Sequence, residues 1–113
     1  MMIPKTSSRS RAKKPRRLEC RAHLAYVAEQ PCAVPGCNEP ANVHHLRIPG
    51  ADHAAGRRSG DNFAVPVCKA HHQGVGGIHH FGRESKWWRD VGVDPLALAA
   101  RLWAESQSGG AMP

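Results

Sequence analysis

Apolar side chains recur at helical spacing shortly after residue 17. Four small or apolar residues fall at relative positions i, i+4, i+7 and i+8, on one face of an amphipathic helix: Cys20, Leu24, Val27 and Ala28. The pattern predicts a helix over residues 18–30, which ends at Pro31 because proline lacks a backbone N–H and clashes with the preceding turn. On this prediction Cys20 packs as a small apolar residue.

The middle of the chain alternates short apolar segments with turn-rich ones. Two short strands are predicted, over residues 41–48 and 63–67, with a loop rich in Gly, Ala, Arg and Ser over residues 49–60 between them. A short helix is predicted over residues 68–73, because the glycine-rich residues 74–77 that follow would end it. Two strands and a helix in this order predict a small α+β fold.

Two further helices are predicted after residue 80. One covers residues 83–90. The other begins with Asp94 as N-cap and Pro95 in the first turn, and its apolar face carries Leu96, Ala99, Ala100 and Trp103. We expect residues 106–113 to form a flexible tail.

Composition limits the size and class of the protein. A chain of 113 residues forms one domain, and 5% aromatic residues with 11 glycines and 9 prolines leave little material for a hydrophobic core. An additional source of stability is therefore expected. No apolar run approaches the roughly 20 residues that a membrane span needs, and the three apolar residues before Pro4 are too few for a secretory signal. We therefore expect a soluble, cytoplasmic protein with no membrane partner.

Positive charge is concentrated at the N-terminus. The net charge is +7, and seven Lys and Arg residues precede the first acidic residue, Glu19. Residues 1–17 therefore predict a disordered basic arm, either a solubilising tail or a segment that contacts DNA phosphates in a salt-dependent manner. Candidate DNA-binding residues are Lys13, Lys14, Arg16 and Arg17 in the arm and Arg47 in the body.

Cysteines and histidines carry the strongest chemical signal. The chain has four cysteines and eight histidines, and in a reducing compartment such cysteines indicate metal rather than disulfides. The spacings Cys-x4-Cys and Cys-x-x-His form two knuckles of a tetrahedral zinc site: Cys32, Cys37, Cys68 and His71. The alternative is that the cysteines are reduced core residues and that the histidine lies on the surface. Zinc would supply the stability that the thin core lacks.

Several histidines remain beyond these four ligands. Neighbouring residues on a strand point to opposite faces, so His44 and His45 are expected to divide two tasks, one binding metal and the other acting as a base. His72 follows a zinc ligand at the start of a helix, where it is placed to bind a second ion. A purely structural zinc module needs none of these histidines.

The ordered set of motifs resembles that of a known family. These motifs are Cys-x4-Cys, His-His-Leu, Asp-Asn, Ala-Val-Pro-Val-Cys-x-x-His-His, Ile-His-x-x-Gly, Trp-Trp and Gly-Val-Asp-Pro. Together they resemble the HNH endonucleases, the His-Me or ββα-metal finger superfamily, and within it a phage and prophage branch that includes recombination-enhancement-function nucleases. The resemblance covers Leu18 to Trp103.

The resemblance implies metal-dependent cutting of DNA. It implies a zinc-stapled ββα-metal finger over residues 18–105, with one helix before it and two after it. His45 matches the general base, and His44 and His72 match ligands of a catalytic divalent ion, expected to be Mg²⁺ or Mn²⁺. His79, in Ile-His-x-x-Gly, matches a histidine typical of this branch and is either a further ligand or a phosphate contact.

The residue that orients the base departs from the family pattern. The family's central Asn usually lies five residues before the knuckle cysteine, whereas Asn62 lies six before Cys68 and is preceded by Asp61. Either Asp61 or Asn62 is expected to orient His45 through a hydrogen bond, unless the pair is only a turn cap.

The function expected from these features is that of an HNH-type endonuclease or nickase. It would hydrolyse DNA phosphodiester bonds in phage or prophage recombination, with a recombinase or another recombination protein as a partner. The alternative is a non-catalytic zinc-binding DNA module that acts in recombination. RNA stays open as a substrate, because no motif distinguishes the 2′-hydroxyl.

Overall fold

The computed structural model describes residues 18–51 and 59–108. In chain order, the elements are helix α1 (Arg21–Ala28), strand β1 (Ala41–His45), a 3-10 turn (Asp61–Phe63), strand β2 (Ala64–Cys68) and helices α2 (Lys69–Gln73), α3 (Ile78–Phe81), α4 (Glu84–Val91) and α5 (Pro95–Gln107). The predicted small α+β architecture is confirmed at this level. The basic arm, residues 52–58 of the loop and residues 109–113 lie outside the described residues.

The two strands form one antiparallel pair. Ala41 lies opposite Cys68 and His45 lies opposite Ala64, so β1 ends three residues earlier than predicted. After His45 the Leu46 N–H still donates to the Phe63 carbonyl at 3.0 Å, but the Leu46 carbonyl accepts from the Ser59 hydroxyl at 2.8 Å instead of from a neighbouring strand. Every residue of β2 is buried, as expected for a strand covered on both faces.

Helices and loops cover the small sheet, since two strands alone are only marginally stable. Between the sheet and helices α1 and α5 lie Val27, Ala64 and Leu102. The larger core cluster joins the sheet to α4 and includes Leu46, Val65, Val67, Trp87 and Trp88, with both tryptophans buried. None of the described helices is long and apolar enough to cross a membrane.

The buried face of α1 differs from the predicted one. His23 and Val27 are buried, whereas Ala28 is exposed. The reason is a tertiary contact: His23 Nδ1 lies 2.6 Å from the Ser106 hydroxyl of α5, and the imidazole packs edge-on against Trp103. The predicted start of the flexible tail at residue 106 is wrong, because α5 continues through Gln107.

Helices α5 and α3 begin at different kinds of signal. The Asp94 side chain accepts hydrogen bonds from the backbone N–H groups of Leu96 and Ala97, with Pro95 in the first turn, as predicted. The sequence did not predict α3, because four residues are too few to show a helical period. Its first residue, Ile78, is buried and anchors it to the core.

Candidate metal centres

Three thiols and one imidazole form a cluster between residues 32–37, which precede β1, and the start of α2. The ligand atoms of Cys32, Cys37, Cys68 and His71 all lie within 4.8 Å of one another. The Cys37 and Cys68 sulfurs are 3.8 Å apart, and His71 Nδ1 lies 3.6 Å from the Cys32 sulfur and 3.2 Å from that of Cys68. Tetrahedral zinc with its usual bond lengths places two sulfurs about 3.8 Å apart and a sulfur and a nitrogen about 3.6 Å apart. The cluster can therefore bind a structural metal such as zinc.

Local backbone geometry presents these ligands. The Cys37 N–H donates to the Val34 carbonyl, and Gly36 has φ +82°, so the chain reverses between the first two cysteines. Cys68 is the N-cap of α2, and His71 lies one turn into that helix. All four cysteines in the chain are free thiols, so no disulfide competes for the ligands.

The helix start changes the acidity of one sulfur. Burial by itself would raise the pKa of the Cys68 thiol, but the backbone N–H groups of His71 and Ala70, with the neighbouring thiols, lower it below its ordinary value. Burial raises the pKa of Cys32 instead. Because metals bind the thiolate form, the lowered pKa of Cys68 favours the form that a metal binds.

A second cluster consists of imidazoles alone. His44 on β1, His72 on α2 and His79 on α3 bring one nitrogen each within 4.8 Å of one another. His72 Nε2 lies 3.1 Å from His44 Nδ1 and 3.1 Å from His79 Nε2. Two nitrogens bound to one ion at about 2.0–2.1 Å lie about 3.0–3.4 Å apart, so these residues fit a divalent metal. His79 lies in this cluster with His44 and His72, although its helix was not predicted.

The same crowding favours the neutral form of the His72 ring. Burial and the nearby imidazoles of His44 and His79 lower the pKa of His72 to about 4, against an opposing effect of Glu84. A neutral imidazole keeps a lone pair for a metal, whereas a protonated one repels it. At neutral pH His72 is therefore in its ligand form.

Glu84 is a site residue that the sequence did not reveal. Its Oε2 lies 2.8 Å from His44 Nε2 and accepts a hydrogen bond from Trp88 Nε1 at 3.0 Å, while its Oε1 accepts from the Arg47 N–H at 3.3 Å. Burial alone would raise the pKa of Glu84, but its hydrogen bond and charge interaction with His44, with the Trp88 and Arg47 N–H groups, lower it. The available signal was an acidic residue opening a helix four positions before a tryptophan, which does not identify a partner 40 residues away.

His45 faces a different partner from His44. Its Nε2 lies 2.8 Å from Asp61 Oδ1, and Asp61 Oδ2 accepts the Cys20 backbone N–H at 2.7 Å. Of the two expected candidates, Asp61 contacts His45, whereas the side-chain oxygen of Asn62 lies beside Gly60. Cys20 was expected to matter as an apolar side chain, but its backbone N–H makes this contact. Of the two neighbouring histidines, His44 joins the imidazole cluster and His45 pairs with Asp61.

The predicted DNA contacts are described only in part. Lys13, Lys14, Arg16 and Arg17 lie outside the described residues. Arg47 is exposed two residues after β1, and its backbone N–H holds Glu84. Arg47 therefore lies on the segment that adjoins the three-histidine cluster.

Comparison with known proteins gives a family but no activity. A family model described as Protein of unknown function (DUF968) matches residues 4–102. The chain belongs to this family. The residues matched by the DUF968 model include both clusters and the His45–Asp61 pair. No curated protein and no solved structure matches the chain.

Proposed function

We propose that this DUF968 protein is a metal-dependent endonuclease of the HNH type that hydrolyses phosphodiester bonds in DNA, in phage or prophage recombination. One observation carries the proposal: three imidazole nitrogens lie within 4.8 Å of one another, and the His45–Asp61 pair begins on the residue next to one of them. A structural zinc module needs only the first cluster.

The order of elements supports the same proposal. Two antiparallel strands are followed directly by α2, and the cysteine cluster ties β2 and α2 to the turn before β1. The three-histidine cluster draws on β1 and α2, with His79 added from α3. This order of elements supports the ββα arrangement that the sequence resemblance implies.

Three protein ligands leave coordination positions for water and substrate, as in catalytic metal sites. When bound, the ion would supply positive charge to the phosphate oxygens and to the leaving oxygen. His44, His72 and His79 would hold it from three different elements of the fold.

His45 has the features of a general base. With Asp61 accepting its Nε2–H, the basic nitrogen of the ring is Nδ1. Imidazole titrates near neutral pH, so this nitrogen can take a proton from the attacking water. Asp61 keeps the ring in that tautomer, and both side chains are largely shielded, at 9% and 4% exposure.

Supercoiled plasmid provides the test. Zinc-loaded protein is mixed with plasmid and with Mg²⁺, Mn²⁺ or Co²⁺, with and without chelator, and nicked and linear products are measured. We expect ion-dependent cleavage by the wild type, loss of cleavage in His72→Ala, and wild-type cleavage in Asn42→Ala, an exposed control on β1. Cleavage unaffected by His72→Ala would indicate a contaminating nuclease, and binding without cleavage under all ions would leave the non-catalytic zinc-binding DNA module.

A further inference from the structure

The carboxylate of Glu84 is held from three directions. It opens α4, its side chain is 10% exposed, and it receives N–H groups from the His44 ring, the Trp88 ring and the Arg47 backbone. Charged side chains are rarely shielded to this degree unless they have partners. The contacts fix both oxygens of Glu84, one of them 2.8 Å from His44 Nε2.

This contact determines which His44 nitrogen carries the proton. An ionised carboxylate only accepts hydrogen bonds, so a ring nitrogen 2.8 Å away must donate. A proton of His44 therefore lies on Nε2, which leaves Nδ1, 3.1 Å from His72 Nε2, as the nitrogen that can bind an ion. The opposite tautomer would direct a proton at the position where an ion would bind.

We propose that Glu84 is the positioning residue of the three-histidine centre, fixing the tautomer and orientation of His44 so that its Nδ1 binds a divalent ion. The inference rests on the proposed function, because it assumes that this cluster holds an ion. Carboxylates behind metal-binding histidines orient the ring and make it a stronger ligand. Glu84 also links the centre to the core, since it accepts a hydrogen bond from the buried Trp88.

Glu84→Gln is the most informative variant. An amide has one oxygen and one NH₂ group, whereas Glu84 accepts on both oxygens. In one orientation of the amide, the NH₂ group faces the Arg47 backbone N–H. In the other it faces Trp88 Nε1 and His44 Nε2, where it favours the His44 tautomer that is protonated on Nδ1. Asp90→Asn is the matched control, because it removes a carboxylate from the same helix where that carboxylate is half-exposed and pairs only with Lys86 among the described contacts.

Cobalt titration measures the ion affinity directly. The cysteine cluster is first filled with zinc, and Co²⁺ is then added while its visible absorption bands report binding to nitrogen ligands. We expect Glu84→Gln to weaken Co²⁺ binding by about 10- to 100-fold, with Asp90→Asn unchanged. In zinc-loaded protein without cobalt, ¹⁵N NMR should show His44 protonated at Nε2 in the wild type and a mixture of tautomers in Glu84→Gln.

The outcomes separate this inference from the proposed function. If the wild type binds no Co²⁺ beyond the zinc centre, the three-histidine ion site itself is wrong. If the wild type binds Co²⁺ and Glu84→Gln binds it equally well with the same His44 tautomer, only the role of Glu84 is overturned. If Glu84→Gln fails to retain zinc, Glu84→Asp takes its place, because the shortened carboxylate no longer reaches His44. Wild-type affinity in that variant would overturn the inference.

Discussion

Substitution of Asp61 by Asn tests how the base is held. Asp61 is 3% exposed, and its described contacts include N–H groups of Cys20 at 2.7 Å and of His45 at 2.8 Å, which it accepts. Asparagine offers one oxygen. Its NH₂ group must face either the Cys20 N–H, leaving two donors in contact, or His45 Nε2, which moves the ring proton to Nδ1 and blocks the base.

The size of the effect follows from these contacts. Loss of one buried hydrogen bond to a charged group costs about 1.5–3 kcal/mol in the free energy of unfolding. At about 4–8 °C per kcal/mol for a domain of this size, the melting temperature should fall by roughly 6–24 °C. Substitution of a residue that orients a metal-binding histidine lowers affinity or activity by about 10- to 100-fold, and we expect plasmid cleavage to fall by at least this factor when the partner of the base is changed.

Thermal unfolding and initial cleavage rates are measured on zinc-loaded Asp61→Asn, well below its melting temperature, beside Asp90→Asn as a surface control. Co²⁺ affinity should be unchanged, because no described contact joins Asp61 to the three-histidine cluster; this separates the variant from Glu84→Gln. A variant that melts and cleaves like the wild type would refute the role assigned to Asp61.

Three further predictions concern the rest of the molecule. Removal of residues 1–17 should weaken DNA binding and flatten its dependence on salt concentration, and an unchanged salt slope in a binding titration would contradict the role of the arm. Stripping zinc, or the variant Cys37→Ser, should unfold the domain, because zinc contributes on the order of 10 kcal/mol in small domains; an unchanged circular dichroism melt of metal-free protein would count against this. Burial lowers the pKa of His23 below 6.5, outweighing the opposing charge of Asp61. As the pH falls below about 6.5, the unfolded chain therefore takes up a proton at His23 before the folded protein does. The free energy of unfolding should then decrease more steeply with falling pH in the wild type than in His23→Gln. Denaturant melts at several pH values measure this, and an equal pH dependence in the two proteins would contradict it.

The sequence predicted those parts of the site that local spacing determines. The cysteine knuckles follow from short spacings, and the opposite directions of His44 and His45 follow from strand alternation. The start of α5 follows from its Asp-Pro cap. In each case, residues within five positions of one another carry the information.

Long-range contacts account for what the sequence did not predict. Glu84 meets His44 only after α4 packs on the sheet, and no periodicity relates the two positions. His23 occupies a buried helix face because Ser106 lies beside it, whereas a hydrophobic pattern places polar residues outside. The position of Asp61 beside His45 depends likewise on how the 3-10 turn returns to β1, so spacing alone left Asn62 as an equal candidate.

The rate of His45→Ala tests the central claim most directly. Native mass spectrometry first establishes that wild type and variant both hold zinc and a second divalent ion, and the single-turnover cleavage of plasmid DNA is then measured on both. Since a general base contributes about 10²- to 10⁴-fold, the variant should cleave at least about 100-fold more slowly while binding DNA equally well. Cleavage at the wild-type rate by the doubly loaded variant would contradict the account.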